Sequence, residues 1–383
     1  MDTQKDKSTI ETKQATGKQL VAIIFMLAMA TKMFMLPIML IQTTGRDGYI
    51  IVAIGAAIDL IALGVILVAM HLAGDTDFFT LISRLFGKVG AKIIVAIIGL
   101  FMLFKLNVAV AEILTFYGTN VFSDFDTSLM IIVLLAFFCA VAVHTLRALC
   151  RLNELLVPIV TVCLTVLIVI VIMTGFDLGN VLPAVRNADK FKTGLTNHAA
   201  WLGDFTPLLL FVGRSKMKRF TPLFGAGAGV LGSAVAVFFA LVLSAAFGNV
   251  PTLIDSTTNL SSILQYTMGN VYGRIDMISS ILWSIAVFVE AALFFYCTAR
   301  CVAFVIGKNA HIFIALGLCV VVYAVQVFAL VDPAIFALVV ASPASSIVSL
   351  VFTVVLPALL LVAAIVDKTK GSAKQKIKPR EAV

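Results

Sequence analysis

Runs of roughly 20 apolar residues recur along the chain from Leu20 to Val366, and they constrain its fold more than any other feature. As helices rising about 1.5 Å per residue, such runs can cross about 30 Å of hydrocarbon. Hydrocarbon offers backbone N–H and C=O groups no partner, so a segment inside it must satisfy them itself, as a helix does. Composition agrees. The hydrophobic set makes up 61% of the 383 residues, against about 45–50% in a soluble domain. Charged residues are 13%, and mean hydropathy is +1.10. A soluble fold cannot hide that much apolar surface, so a water-soluble enzyme is excluded. The expected fold is an all-α polytopic membrane protein.

The apolar runs and their punctuation place ten spans near 20–41, 49–71, 91–118, 127–145, 153–174, 196–213, 221–247, 274–305, 311–330 and 344–366. The stretch 332–343 has room for a short extra helix. Residues 1–19 carry no signal-peptide core or cleavage site and read as a cytoplasmic tail. Residues 367–383 form a second cytoplasmic tail, basic and suited to anionic membrane lipid. With both tails inside, twenty-one Lys and Arg fall in cytoplasmic segments. Only Arg46, Arg186, Lys190, Lys192 and Arg274 fall outside, while Lys32 and Lys105 remain within spans. This is the positive-inside pattern, so the net charge of +8 speaks of topology and not of nucleic acid.

Ten spans divide into two halves of five, 20–174 and 196–366. An odd number per half turns the second half upside down, the 5+5 inverted repeat of many secondary transporters. The repeat follows from counting, since no internal sequence identity is visible. In such folds the ligand sits at mid-membrane, where the first helix of each half is interrupted.

Both candidate interruptions are legible. The first span reads Ala30-Thr31-Lys32-Met33-Phe34-Met35-Leu36-Pro37, with a lysine halfway along and a proline that deletes a helix hydrogen bond. The sixth reads His198-Ala199-Ala200-Trp201-Leu202-Gly203-Asp204-Phe205-Thr206-Pro207 and is the shortest apolar run. Charges within spans are few: Lys32, Asp59, Lys105, Glu112, Asp204 and Glu290. Each is costly at mid-depth unless paired or wetted, and so is a functional candidate. Asp59 and Glu112 read better as structural pairs or helix-end positions. Thr31, Lys32, Met33, Gly203, Asp204 and Phe205 are therefore expected to line one substrate cavity, with Asn107 and Glu290 at its walls. Asp204 is the first choice of partner for Lys32, and Glu290 the second.

Other motifs carry less. The six cysteines fall in spans or at their ends, which implies no disulfide framework. Cys297 and Cys301 share a helix face but read as core thiols, and neither a metal nor an organic cofactor is expected. There is no phosphate loop, no Gly-x-Ser-x-Gly elbow and no His-Glu-x-x-His. Gly225, Gly227 and Gly229 permit close packing of the seventh span.

Several local signatures together resemble one family. They are Leu36-Pro37 before Gly45-Arg46-Asp47-Gly48-Tyr49, then Arg151-Leu152-Asn153-Glu154, Asn180-Val181-Leu182-Pro183, and Gly273-Arg274-Ile275-Asp276 with Trp283. Their order over residues 18–366 is similar to that of the spore germination permeases, the B-subunits of germinant receptors, in the amino acid–polyamine–organocation superfamily. The resemblance implies a LeuT-like fold, a place in the spore inner membrane, a small germinant (often an amino acid) as ligand, and A- and C-type receptor subunits as partners. The chain departs from the superfamily where Ala30-Thr31-Lys32 replaces glycine-rich backbone, which puts sodium coupling in doubt. The alternative is a proton-coupled amino acid symporter for nutrient uptake, with Asp204 or Glu290 as the proton carrier.

Overall fold

A computed structural model describes residues 15–33, 35–120, 126–174, 178–182, 185, 187–249, 275–307, 311–330 and 333–376. Expectations that fall on residues 1–14, on Pro183, Arg186 and Gly273-Arg274, and on 377–383 lie outside the described residues. What is described is helical, apart from turns and one backbone bridge between Ala15 and Ser215. The helices are α1 (Gly17–Met29), α2 (Met35–Thr44), α3 (Gly48–Ala73), α4 (Phe78–Asn120), α5 (Thr127–Val143) and α6 (Leu146–Thr174). They continue with α7 (Ala188–Ala199), α8 (Thr221–Asn249), α9 (Ile275–Ile306), α10 (His311–Val325), α11 (Pro333–Val340) and α12 (Pro343–Lys376). A 3-10 helix over Thr206–Phe211 follows α7, and a π-helical turn over Gln326–Leu330 closes α10.

Seven stretches among the described residues are long and apolar enough to cross a membrane. This is an integral membrane protein. The count falls short of ten because α1 and α5 are shorter apolar helices and the sixth expected span is in pieces. α1 opens on a capping box: the Thr16 hydroxyl accepts the Gln19 N–H, and the Gln19 side chain accepts the Thr16 N–H. α4 begins well before the expected residue 91, with an arm that turns at Gly87, where φ is +74°. α6 opens at Leu146, ahead of the expected 153. α12 carries on to Lys376, into the stretch expected to be a tail.

Lipid tails are as apolar as leucine, so close packing and polar contacts, more than burial from water, hold such helices together. α4 lies along α9, joined by Phe116 on Trp283 with ring centroids 4.5 Å apart and by the Tyr117 hydroxyl donating to Ser284 at 2.9 Å. α8 packs on α1 and α3, and α12 on α3 and α4. The glycine expectation for α8 holds for Gly225 and Gly229, whose missing Cβ atoms admit Ile24, Leu67 and Leu63, while Gly227 faces open space. Outward faces carry large apolar side chains such as Val89, Leu100, Val133, Leu155, Phe313 and Val354. A surface of that kind suits hydrocarbon.

Candidate functional site

Both expected interruptions are present. α1 ends at Met29, residues 30–33 turn, and α2 resumes at Met35 with Pro37 in its first turn, where a missing N–H costs little. α7 ends at Ala199, and the chain tightens as the Trp201 N–H bonds the His198 carbonyl at 2.9 Å. It then passes through Gly203 at φ +92°, a conformation costly for any residue with a Cβ. The Thr206 N–H returns to the Gly203 carbonyl at 3.0 Å and opens the 3-10 helix that carries Pro207. Carbonyls freed at this break are met from α12. The Ser349 hydroxyl donates to Ala200 O at 3.1 Å, and the Ser346 hydroxyl donates to Thr196 O.

The two breaks meet at a buried cluster of charges. Lys32, from the first, pairs with Asp59 of α3 and, at 2.7 Å, with Asp204 of the second. Asp204 also receives Lys105 of α4, 2.7 Å from its other oxygen, and the Thr31 hydroxyl at 3.3 Å. Asp59 in turn accepts the Gly203 N–H at 3.0 Å, so a carboxylate of α3 holds the strained turn in place. The Lys32 ammonium lies 6.0 Å from the centre of the Phe205 ring. All four charged side chains are at most 2% exposed.

Of the expected residues, the structure thus brings Thr31, Lys32, Gly203, Asp204 and Phe205 together. Met33 is buried beside them. Glu290, on α9, feels the charges of Asp204, Lys105, Glu112 and Lys32, but neither of its oxygens has a hydrogen-bond partner among the described residues. Asn107 is placed against the π-helical turn, accepting the Gln326 amide at 3.1 Å, whereas Lys105, two residues earlier, points to the cluster. Asp204 is a partner of Lys32, as expected; Glu290 is not paired with it among the described contacts.

Asp59, read as a structural pair or a helix-end position, forms an ion pair with Lys32 at the cluster itself, and Lys105 joins the cluster although the expected cavity included neither. Asp59 is the twelfth residue of the 26-residue α3, roughly 17 Å along it, which is mid-membrane depth and the signal that should have promoted it. Glu112 was read as structural, and it accepts the Trp201 indole N–H at 2.5 Å, pinning the second break to α4. His198, also unforeseen, is buried with its ring over Gly55, where any Cβ would overlap it.

A void of about 10 Å³ lies beside the cluster, lined by Asp59, Gly203, Phe205, Thr206 and Thr353 among others. Larger hollows, one of about 570 Å³ lined by Ile113, Tyr117 and Phe137, are nearly all apolar and belong to the outer faces of the helices. Among the described residues, no group of three or more His, Cys, Asp or Glu stands ready for a metal ion.

The family described as spore germination protein, a permease family, matches residues 14–332 of this chain. The chain belongs to it. That makes it a germination-related, permease-like membrane protein, and the matched region contains both breaks and every charged residue of the cluster. α12, which supplies Ser346 and Ser349, follows the matched region. Among curated proteins, no individual relative matches the chain.

Proposed function

We propose that the protein is the permease-like subunit of a spore germinant receptor. On this reading it binds a small germinant, an amino acid, at mid-membrane between its two broken helices. Thr31, Lys32, Met33, Gly203, Asp204 and Phe205 form the site, Asn107 and Glu290 its walls, and A- and C-type subunits are its partners in the spore inner membrane. One observation carries the reading: Lys32 joins the two breaks through Asp204. A ligand carboxylate that takes the place of Asp204 on Lys32 exchanges one ion pair for another. It thereby gains differential affinity for an arrangement in which the breaks have parted. Asp204 keeps Lys105 when Lys32 is drawn away, which lowers the cost of the exchange.

Packing supports a LeuT-like 5+5 repeat of ten crossings. With the broken elements counted as the first and sixth crossings, α3 packs on α8, α4 on α9 and α5 on α10, so equivalent members of the two halves meet in pairs. The end of the bundle where Arg214, at the exit of the second break, bonds Asp77 at 2.7 Å is then cytoplasmic. In a background freed of its native cysteines, one placed at Asp189 should react with an impermeant thiol reagent from outside. One placed at Lys216 should not.

The test of the site is binding of a panel of amino acids to the protein in lipid nanodiscs, read by calorimetry. Lys32→Met, close in length and without charge, should abolish binding of whichever amino acid the parent takes. Unchanged affinity in that variant overturns the reading. The second reading, a proton-coupled symporter, is favoured by Glu290, a buried acid free to carry a proton. Amino-acid-driven proton uptake into vesicles containing this chain alone would select it.

A further inference from the structure

The groups buried around the two breaks do not balance. Among the described residues, two cations, Lys32 and Lys105, stand among four acids, Asp59, Asp204, Glu112 and Glu290. Geometry assigns both cations to the aspartates. Glu112 has one donor, the Trp201 indole, on one oxygen and none on the other among the described residues. Glu290 has none on either oxygen and is 1% exposed. The charged groups whose fields reach it are Lys105 and Glu112 from α4, Asp204 from the second break and Lys32 from the first. Both lysines are already engaged, and both acids repel an anion. A bare carboxylate enclosed in this way costs far more than the neutral acid in the same place.

We propose that Glu290 is a proton-binding site of the closed protein. In the closed form its carboxylate holds a proton drawn from water, as the neutral acid, and returns it to water when the breaks part. Closure and proton uptake are then one equilibrium. Glu290 sits on α9, which packs on α1, on α4 and on the 3-10 helix leaving the second break, so its charge state bears on each element that must move. The inference rests on the proposed function only for the statement that this cluster opens and closes. The occupancy of the site can be read with no amino acid present.

The experiment is infrared spectroscopy of the purified protein in lipid nanodiscs at neutral pH, without ligand. A protonated carboxyl has a C=O stretch well separated from carboxylate bands, and it moves to lower frequency on exchange into D₂O. The wild-type protein should show such a band, and Glu290→Gln should lose it. Glu112→Gln should keep the part that Glu290→Gln removes. A Glu290→Gln spectrum that superimposes on wild type in this region overturns the proposal. Glutamine is the neutral mimic of the acid, so a Glu290→Gln chain that cannot be purified folded and monodisperse overturns it as well, because the anion would then be what the fold requires. Failure of the amino acid panel would leave the infrared result standing, and loss of the band would leave amino acid binding standing.

Discussion

The Lys105–Asp204 pair at the meeting of the breaks and the Arg84–Asp367 pair near the end of α12 have the same separation, 2.7 Å. Their surroundings differ. The first pair is at most 2% exposed, with Lys32, Asp59 and Glu290 around it. In the second, the Arg84 side chain is 58% exposed, and the Asp367 carboxylate also accepts the Thr76 hydroxyl at 3.4 Å. An exposed pair gains about 0–1 kcal/mol, because water already solvates both charges and salt screens them. A buried pair gains little net stability from being made, yet losing one partner strands the other at about 3–5 kcal/mol. Equal distances therefore hide unequal consequences. The cluster is costly to build and costly to break, and it lies where the two interrupted helices meet.

The largest effect should come from Asp204→Asn. It removes the carboxylate shared by Lys32 and Lys105 and takes from buried Lys105 its ion-pair partner, so a loss of about 3–5 kcal/mol is expected. Thermal unfolding in detergent measures it. Adding Lys105→Met to Asp204→Asn should recover part of the loss, since the two residues share one interaction. Were Asp204→Asn no worse than Arg84→Ala, the contrast between the two regions would collapse.

Gly55→Ala comes next. The new methyl overlaps the His198 ring at the end of α7, a small-to-large change costing about 1–3 kcal/mol. His198→Ala in the same chain should relieve it, which tests whether the ring is what the glycine accommodates. Ser349→Ala should cost about 1 kcal/mol by stranding the Ala200 carbonyl at the second break. Its effect sharpens the contrast, because a neutral hydrogen bond at the same break should matter less than the charge beside it.

Arg84→Ala should be the mildest. A change of under about 1 kcal/mol, shrinking further as salt is raised, is the signature of a screened pair. Unfolding midpoints of wild type and Arg84→Ala should converge at high ionic strength, while those of wild type and Asp204→Asn stay apart. A salt-insensitive loss in Arg84→Ala would mean that the link between the α4 arm and α12 is closed to solvent.

Local grammar decided a good deal of this protein. Apolar length alone dictated membrane helices, because hydrocarbon leaves a short apolar segment no other way to satisfy its backbone. Pro37, and Gly203-Asp204 before Pro207, marked both breaks, since each acts on its own turn of helix. The ordered motifs pointed to the family. Tertiary structure alone decided who pairs with whom. Lys105 and Asn107 are two residues apart on α4 yet reach Asp204 and Gln326, on different elements. Asp59 lay in plain view as a mid-membrane acid, but only the approach of α3 to both breaks made it a partner of Lys32 and of the Gly203 N–H. Glu112 found an indole, and Glu290 found no donor among the described residues. Helical periodicity tells which face a residue occupies. What lies opposite that face depends on how separate helices pack, and no short-range pattern in the chain encodes that.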